Sequence, residues 1–375
     1  MDEQPRQVPV NTPLITEDDI ESVVNALRDG WVSGEGPIVA EFENSFAQSC
    51  NRQFGIAVTN GTAAIELVIH ALGIGPGDEV ILPSFAIISC VSQILRAGAT
   101  PIFVDSDAGT WNMDVTQIRS VITPRTKAIM AVHTYGLPVD MDPLLQIAEE
   151  NNLKVIEDAA ESHGLKYKGQ RCGSFGLVST FSFYANKHIT TGEGGMVVTN
   201  DEELAASIRK YRNLAFQPER RFVHNELGWN LRMSSLQCAL GTSQLQRLEE
   251  ILASRRALGQ TYQDAFKDLK NVQLPLKATT TSTNDYWIFG LVLTGDLAGK
   301  ASEVQQTLAE SGVGTRPFFW PLHEQPVLKT FGMSTQPLLP VASNLGRSGF
   351  YIPNGLGLKS EDVDYVIETV RRILS

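Results

Sequence analysis

Between residues 55 and 200 the chain alternates short β-rich runs with helical stretches, and that alternation admits few folds. Runs at 55–59, 80–82, 101–105, 128–133, 153–158, 178–183 and 196–199 read as strands. Helical patterns lie between most of them. Residues 63–72 place apolar side chains at helical spacing, and 140–151 and 201–213 begin with acidic residues that suit the positive end of a helix. Strand, helix, strand, repeated, predicts an α/β fold whose mainly parallel sheet is covered on both faces. Sheets of this kind bind ligands at the carboxyl ends of their strands, so chemistry is expected just after each strand.

Beyond a long helical tract at 234–269 the pattern changes to a strand at 286–294, a helix at 302–311 and a final amphipathic helix at 361–374. This predicts a large domain over 1–250 and a smaller α+β domain over 251–375, a division that 375 residues accommodate. The proline-containing stretch from Thr315 to Gln325, which includes Arg316, Phe318, Phe319 and Trp320, is too aromatic for an ordinary solvated loop. No internal repeat or low-complexity tract interrupts the chain.

Composition removes several classes of function. Thirty-one basic residues against 42 acidic ones give a net charge of −11 with no long block of one sign, which argues against nucleic acid or an anionic membrane surface as partner. The opening Met1-Asp2-Glu3-Gln4-Pro5 is polar, and no apolar run reaches membrane-spanning length, so a cytoplasmic protein is expected. Cys50, Cys90, Cys172 and Cys238 form no C-x-x-C pair and are expected as small core residues. The six histidines have no ligand spacing, so no metal is expected.

Three segments can carry chemistry. In Thr59-Asn60-Gly61-Thr62-Ala63-Ala64 a strand ends and a helix starts at once, which makes a phosphate cradle from free N–H groups and a glycine. A hairpin turn and a glycosylation sequon compete for the same residues; helical periodicity after Thr62 disfavours the hairpin, and the lack of a signal peptide disfavours the sequon. Two other glycine clusters, Gly73 to Gly77 and Gly192 to Gly195, each precede a strand instead of opening a helix, which disfavours a dinucleotide-binding fingerprint. Asp158 ends an apolar run and can meet a cationic ring, although helix capping is the commoner fate of such an aspartate. Lys187 lies between an apolar strand and a glycine-rich loop, where a solvated surface lysine is the competing reading. A phosphate seat, a carboxylate for a ring nitrogen and a partly enclosed lysine together meet the requirements of pyridoxal 5'-phosphate.

The sequence resembles the fold-type-I pyridoxal-phosphate enzymes, and among them the DegT/DnrJ/EryC1/StrS nucleotide-sugar aminotransferases. The resemblance covers nearly the whole chain. It runs through Asp29 to Pro37, Asn60-Gly61-Thr62-Ala63-Ala64, Gly75 to Ser84, Glu157-Asp158-Ala159-Ala160-Glu161-Ser162-His163-Gly164, the segment around Lys187, and Gly228-Trp229-Asn230-Leu231-Arg232-Met233. Within the family it is similar to the branch that forms GDP-perosamine, through Pro101 to Asp107 with Thr110-Trp111, Asn186 to Thr199, Arg220-Arg221 with His224, and Thr315 to Pro321.

The resemblance implies that Lys187 forms the Schiff base to the cofactor and that Asp158 pairs with the pyridine nitrogen. Gly61, Thr62, Ala63 and Ser182 are implied at the phosphate and Glu161 near the ring hydroxyl. Asn230 is implied to reach the phosphate held by a neighbouring subunit, giving a homodimer with shared sites. Many relatives stack an aromatic residue on the ring where this chain has Ile87; aliphatic packing or Phe85 is expected instead. Relatives that dehydrate sugars replace the lysine by histidine, whereas here position 187 is lysine and His188 follows it. Transfer of an amino group from L-glutamate to C4 of GDP-4-keto-6-deoxy-D-mannose is therefore expected, with Arg220, His224, Arg316 and His323 as candidate sugar contacts. The same chemistry on a UDP- or dTDP-linked sugar, and a catalytically silent regulatory relative, are the other readings; an intact Lys187 and Asp158 disfavour the second.

Overall fold

A computed structural model describes residues 6–217, 219–333 and 338–375. Seven strands build the larger sheet: β1 (Phe54–Val58), β2 (Glu79–Pro83), β3 (Thr100–Val104), β4 (Thr126–Val132), β5 (Lys154–Asp158) and, after the small hairpin β6 (Lys166–Tyr167) and β7 (Gln170–Arg171), β8 (Val178–Ser182) and β9 (Gly195–Thr199). Their order is β1-β9-β8-β5-β4-β2-β3. β9 runs antiparallel to both neighbours, and the other pairings are parallel. All seven strands predicted from the sequence are present, and the sheet is mainly parallel as expected.

Alternation along the strands buries both faces. Ala128, Met130 and Val132 of β4 join one apolar cluster, with helices Gly61–Ala71, Ile88–Arg96 and Glu202–Arg212. Ile129 and Ala131 face the other side, toward helix Met141–Glu150. Helix Pro37–Ser49 closes that side near β1, β8 and β9, with Phe42 and Phe46 fully buried against Phe181 and Phe183. Burying such rings contributes roughly 1.5–3 kcal/mol each.

A second sheet, all antiparallel, is ordered β10 (Val272–Gln273), β11 (Phe289–Leu293), β13 (Gly349–Ile352), β12 (Arg316–Pro317). Helices Ala301–Glu310 and Ser360–Leu374 accompany it. β11 begins later than the sequence pattern predicts. Tyr286 sits at φ +47°, and its N–H donates to Asn284 Oδ1 at 2.7 Å, so the chain is still turning where strand spacing had begun. The helical tract at 234–269 is two helices, Ser235–Gln246 and Leu248–Phe266. They part at Arg247, whose backbone leaves helical geometry while its guanidinium meets Asp19 at 2.8 Å.

Leu248 and Leu252 of the second helix pack into the large sheet's core, and Tyr262 and Phe266 into the small sheet's core. The N-terminal segment is also tied to the second sheet's side: Val8 bridges Val313, Asn354 N–H donates to Val10 O, and Gly357 N–H to Thr12 O. The four cysteines are free and buried. Among the described residues no helix is long and apolar enough to cross a membrane.

Candidate active site

At the carboxyl edge of the large sheet a cavity of about 580 Å³ opens between Val132, Asp158 and Ser182, the last residues of β4, β5 and β8. Its far wall comes from the second sheet and its surroundings: Trp287, Arg316, Phe319 and Tyr351. This is the crevice that strand–helix alternation predicts.

One end of the cavity is the start of helix Gly61–Ala71. The Asn60 side chain caps it by accepting from Ala63 N–H at 2.9 Å, and the N–H groups of Gly61 and Thr62 have no intrahelical acceptor. A Cβ on residue 61 would meet Ser182 Cβ at 2.9 Å, so glycine is what lets the helix end approach β8. Thr62 Oγ1 lies 2.7 Å from Ser89 Oγ. The result is a small hydroxyl-lined bowl at the positive end of a helix dipole, suited to a phosphate.

Three ionisable side chains meet on the cavity floor. Asp158 accepts from Ala160 N–H at 3.1 Å and from the Cys90 thiol at 3.2 Å. Burial raises its pKa, against the pull of those donors and of Lys187. Glu161 accepts from Tyr135 N–H at 3.1 Å and is pushed up to about 7 by burial, opposed by the charge of Lys187. The Lys187 side chain is 10% exposed, with Nζ 3.5 Å from Glu161 Oε1 and 3.7 Å from the centre of the Trp287 ring. Burial lowers its pKa, and Glu161 and Asp158 raise it. An amine whose pKa burial lowers, beside a carboxyl raised to about 7, can both form a carbonyl adduct and carry a proton.

The structure thus brings together Gly61, Thr62, Ile87, Asp158, Glu161, Ser182, Lys187 and Arg316. Ile87 lines the cavity, whereas Phe85 is fully buried among Tyr135, Phe318 and Phe319. Ala63 lies behind the cap, its N–H committed to Asn60. His323 is buried away from the cavity lining, with Nδ1 2.6 Å from Ser84 Oγ. Arg220, His224 and Asn230 are exposed and do not line this chain's cavity; the His224 ring packs against Phe216, and Asn230 bridges Asn213.

Sequence reasoning missed the roles at this site of Trp287, Tyr351, Phe319 and Cys90, although Phe319 lies in the aromatic stretch that begins at Thr315. The first three come from the second sheet's side, and the one available signal was aromatic residues beside short strands. Cys90 carried no signal beyond its place on an apolar helix face.

Behind β5 a second cluster, His133, Glu157 and Cys172, has its candidate ligand atoms within 4.8 Å of one another. Val139 N–H donates to His133 Nδ1 at 3.1 Å, which leaves the proton on Nε2 to reach Glu157 at 2.8 Å. Glu157 also accepts from Gly173 N–H, Phe175 N–H and the Ser179 hydroxyl. Both histidine nitrogens and both carboxylate oxygens are therefore committed within the protein, which leaves this group poorly suited to a metal.

The sequence profile of the DegT/DnrJ/EryC1/StrS aminotransferase family matches residues 13–371. The chain is 39% identical over 374 residues to a GDP-perosamine synthase of Caulobacter vibrioides, covering 100% of both chains. It is 38% identical over 370 residues to one of Escherichia coli O157:H7, covering 99% of each. A putative sugar aminotransferase from Streptococcus pneumoniae, solved in its PLP form, superposes with a TM-score of 0.91 at 27% identity, covering 98% of this chain and 100% of that one. The chain is accordingly a pyridoxal-phosphate-dependent enzyme and belongs to the DegT/DnrJ/EryC1/StrS aminotransferase family.

Proposed function

We propose that this aminotransferase moves the amino group of L-glutamate to C4 of GDP-4-keto-6-deoxy-D-mannose, giving 2-oxoglutarate and GDP-perosamine, in the cytoplasm and as a homodimer. The observation that carries the chemistry is the enclosed amine of Lys187, 3.5 Å from Glu161 and sharing its cavity with Asp158 and the open end of a helix. Two GDP-perosamine synthases at 38–39% identity over essentially the full length support the sugar and the nucleotide.

The residues fit pyridoxal 5'-phosphate. The bowl at the helix end, which approaches Ser182 so closely that a Cβ at position 61 would clash with it, suits the phosphate, with Gly61, Thr62 and Ser182 as donors and Ala63 holding the cap. Asp158 suits the pyridine nitrogen and Glu161 the ring hydroxyl. When bound, the cofactor supplies an electron sink for cleavage of a C–H bond. Asp158, as a carboxylate, keeps the ring nitrogen protonated. Lys187 would hold the cofactor through its carbonyl carbon, and its free amine would carry the proton at Nζ. Ile87 would pack on the ring, and Phe319 and Trp287 supply apolar walls to the cavity. Arg316 faces the cavity and binds the sugar substrate; His323 supports that wall through Ser84.

Asn230, Arg220 and His224 are exposed on the single chain, which suits service to a neighbouring subunit's site. Trp31, Phe222 and Leu227 are 49%, 80% and 89% exposed on segments joined by the Arg221–Glu35 ion pair, an apolar surface of the kind that a second copy covers.

A single-turnover comparison tests the proposal. Enzyme loaded with the aminated cofactor is mixed with GDP-, dTDP- and UDP-linked 4-keto-6-deoxysugars, and the return of the carbonyl form is followed by absorbance. The GDP sugar should react with the highest specificity constant. Preference for another nucleotide would overturn the substrate assignment and leave the chemistry standing.

A further inference from the structure

Trp287 stands just before β11, and only 4% of it is exposed. Its Nε1–H donates to Asn186 O at 2.9 Å, and the Tyr135 ring lies 5.8 Å away, so the indole is held on two sides. Its ring centre lies 3.7 Å from Lys187 Nζ. That is well inside the range of about 6 Å over which an aromatic face attracts a cation.

The other groups around Lys187 pull in both directions. Glu161 from the turn after β5 and Asp158 at its end favour the ammonium, and the Cys90 thiol from helix Ile88–Arg96 adds to them when ionised. His163 and His188 lie behind the lysine, and Arg316 stands across the cavity. Glu161 itself takes up a proton near neutral pH, so its support for the ammonium comes and goes. The indole quadrupole does not titrate.

We propose that Trp287 is a positioning residue for Lys187, its indole face seating the ε-ammonium that forms whenever the released lysine accepts a proton. The step is a proton transfer: the Nζ lone pair of Lys187 forms the new N–H bond, the substrate C–H bond breaks, and its electron pair stays on the carbon, where a bound cofactor would supply the electron sink. By stabilising the charged form of a side chain that is only 10% exposed, Trp287 opposes the effect of burial and sets the pH at which the amine is free to act. This rests on the reading of Lys187 as the reacting amine.

The test replaces Trp287 by mono-, di- and trifluorotryptophan through codon suppression, which drains the ring face of electron density with little change of shape. In cofactor-free protein the pKa of Lys187 is read by competitive acetylation across pH, with mass spectrometry of its peptide. It should fall stepwise with fluorine number, by about 0.4 to 1.5 in all. In the loaded enzyme the ascending limb of the pH–rate profile should move to lower pH in the same order. A pKa that stays put, or climbs because water enters, overturns the proposal. Should the fluorinated chains fail to fold, Trp287→Phe provides a weaker face, and the same fall in pKa is required of it. Borohydride trapping of the cofactor on Lys187, mapped in unmodified protein, tests the underlying reading separately, since the fluorine trend needs no turnover.

Discussion

Strand β5 ends in two adjacent carboxylates, Glu157 and Asp158, which the pleat sends to opposite faces of the sheet and into opposite circumstances. Glu157 is fully buried and accepts from four donors, two of them backbone N–H groups of the turn after β7. Asp158 accepts from two donors and faces a cavity with the rest of its acceptor capacity free. Burial alone does not distinguish a structural acid from a reactive one. The count of fixed donors does: a carboxylate whose lone pairs are all used holds the chain in place, and one with unused capacity is ready for a partner that arrives later.

Lys187 gives the sharpest break, because it stands on the reactive side of this division. Lys187→Ala should fold normally by circular dichroism yet lose at least about 10⁴-fold in turnover, since the covalent link and the proton shuttle disappear together. Measured amine transfer within a factor of ten of the parent would place the chemistry elsewhere. Next comes the comparison itself. Asp158→Asn keeps the shape of the site and should reduce the rate by roughly 10²–10³-fold while cofactor affinity, titrated by fluorescence, changes much less.

Glu157→Gln should show the reverse pattern. An amide NH₂ would be turned toward groups that donate, so unfolding should be easier by about 1–3 kcal/mol in denaturant titration, with a smaller effect on rate per folded molecule than in Asp158→Asn. If both variants lost rate equally, donor counting would be a poor guide. The smallest expected effect is a pH slope. Glu161 is raised from its ordinary 4.5 to about 7, so the folded protein keeps a proton that the unfolded chain has already released. Its stabilising contribution is complete below about 4.5 and is lost as the pH rises toward about 7. Cofactor-free protein should therefore lose stability across that interval, and Glu161→Gln should flatten the curve.

The same division explains what could be read from the residues alone. The large sheet was legible because its alternation is local, and Asp158 and Lys187 stood out because one ends a strand and the other follows one. Tyr286 delayed β11 through a left-handed turn that strand spacing does not encode. His323 looked like a polar group for a sugar; its partner Ser84 is more than two hundred residues away, and only the folded chain brings them together. Trp287 went unnoticed for the same reason, since nothing near position 187 announces an indole from the far sheet. Arg220 and His224 were marked by chemical type, and type alone does not say which surface a side chain occupies.

The N-terminal segment has a consequence in time. Val8 bridges Val313, and Asn11 Nδ2 donates to Ala185 O, two residues before the lysine. On a ribosome adding about 5–20 residues per second, Val8 waits on the order of 15 to 60 seconds for Val313 to emerge. Until residue 313 emerges Val8 has no bridge partner, so a nascent chain stalled before it should be cut by protease near its start long after its central strands have become resistant.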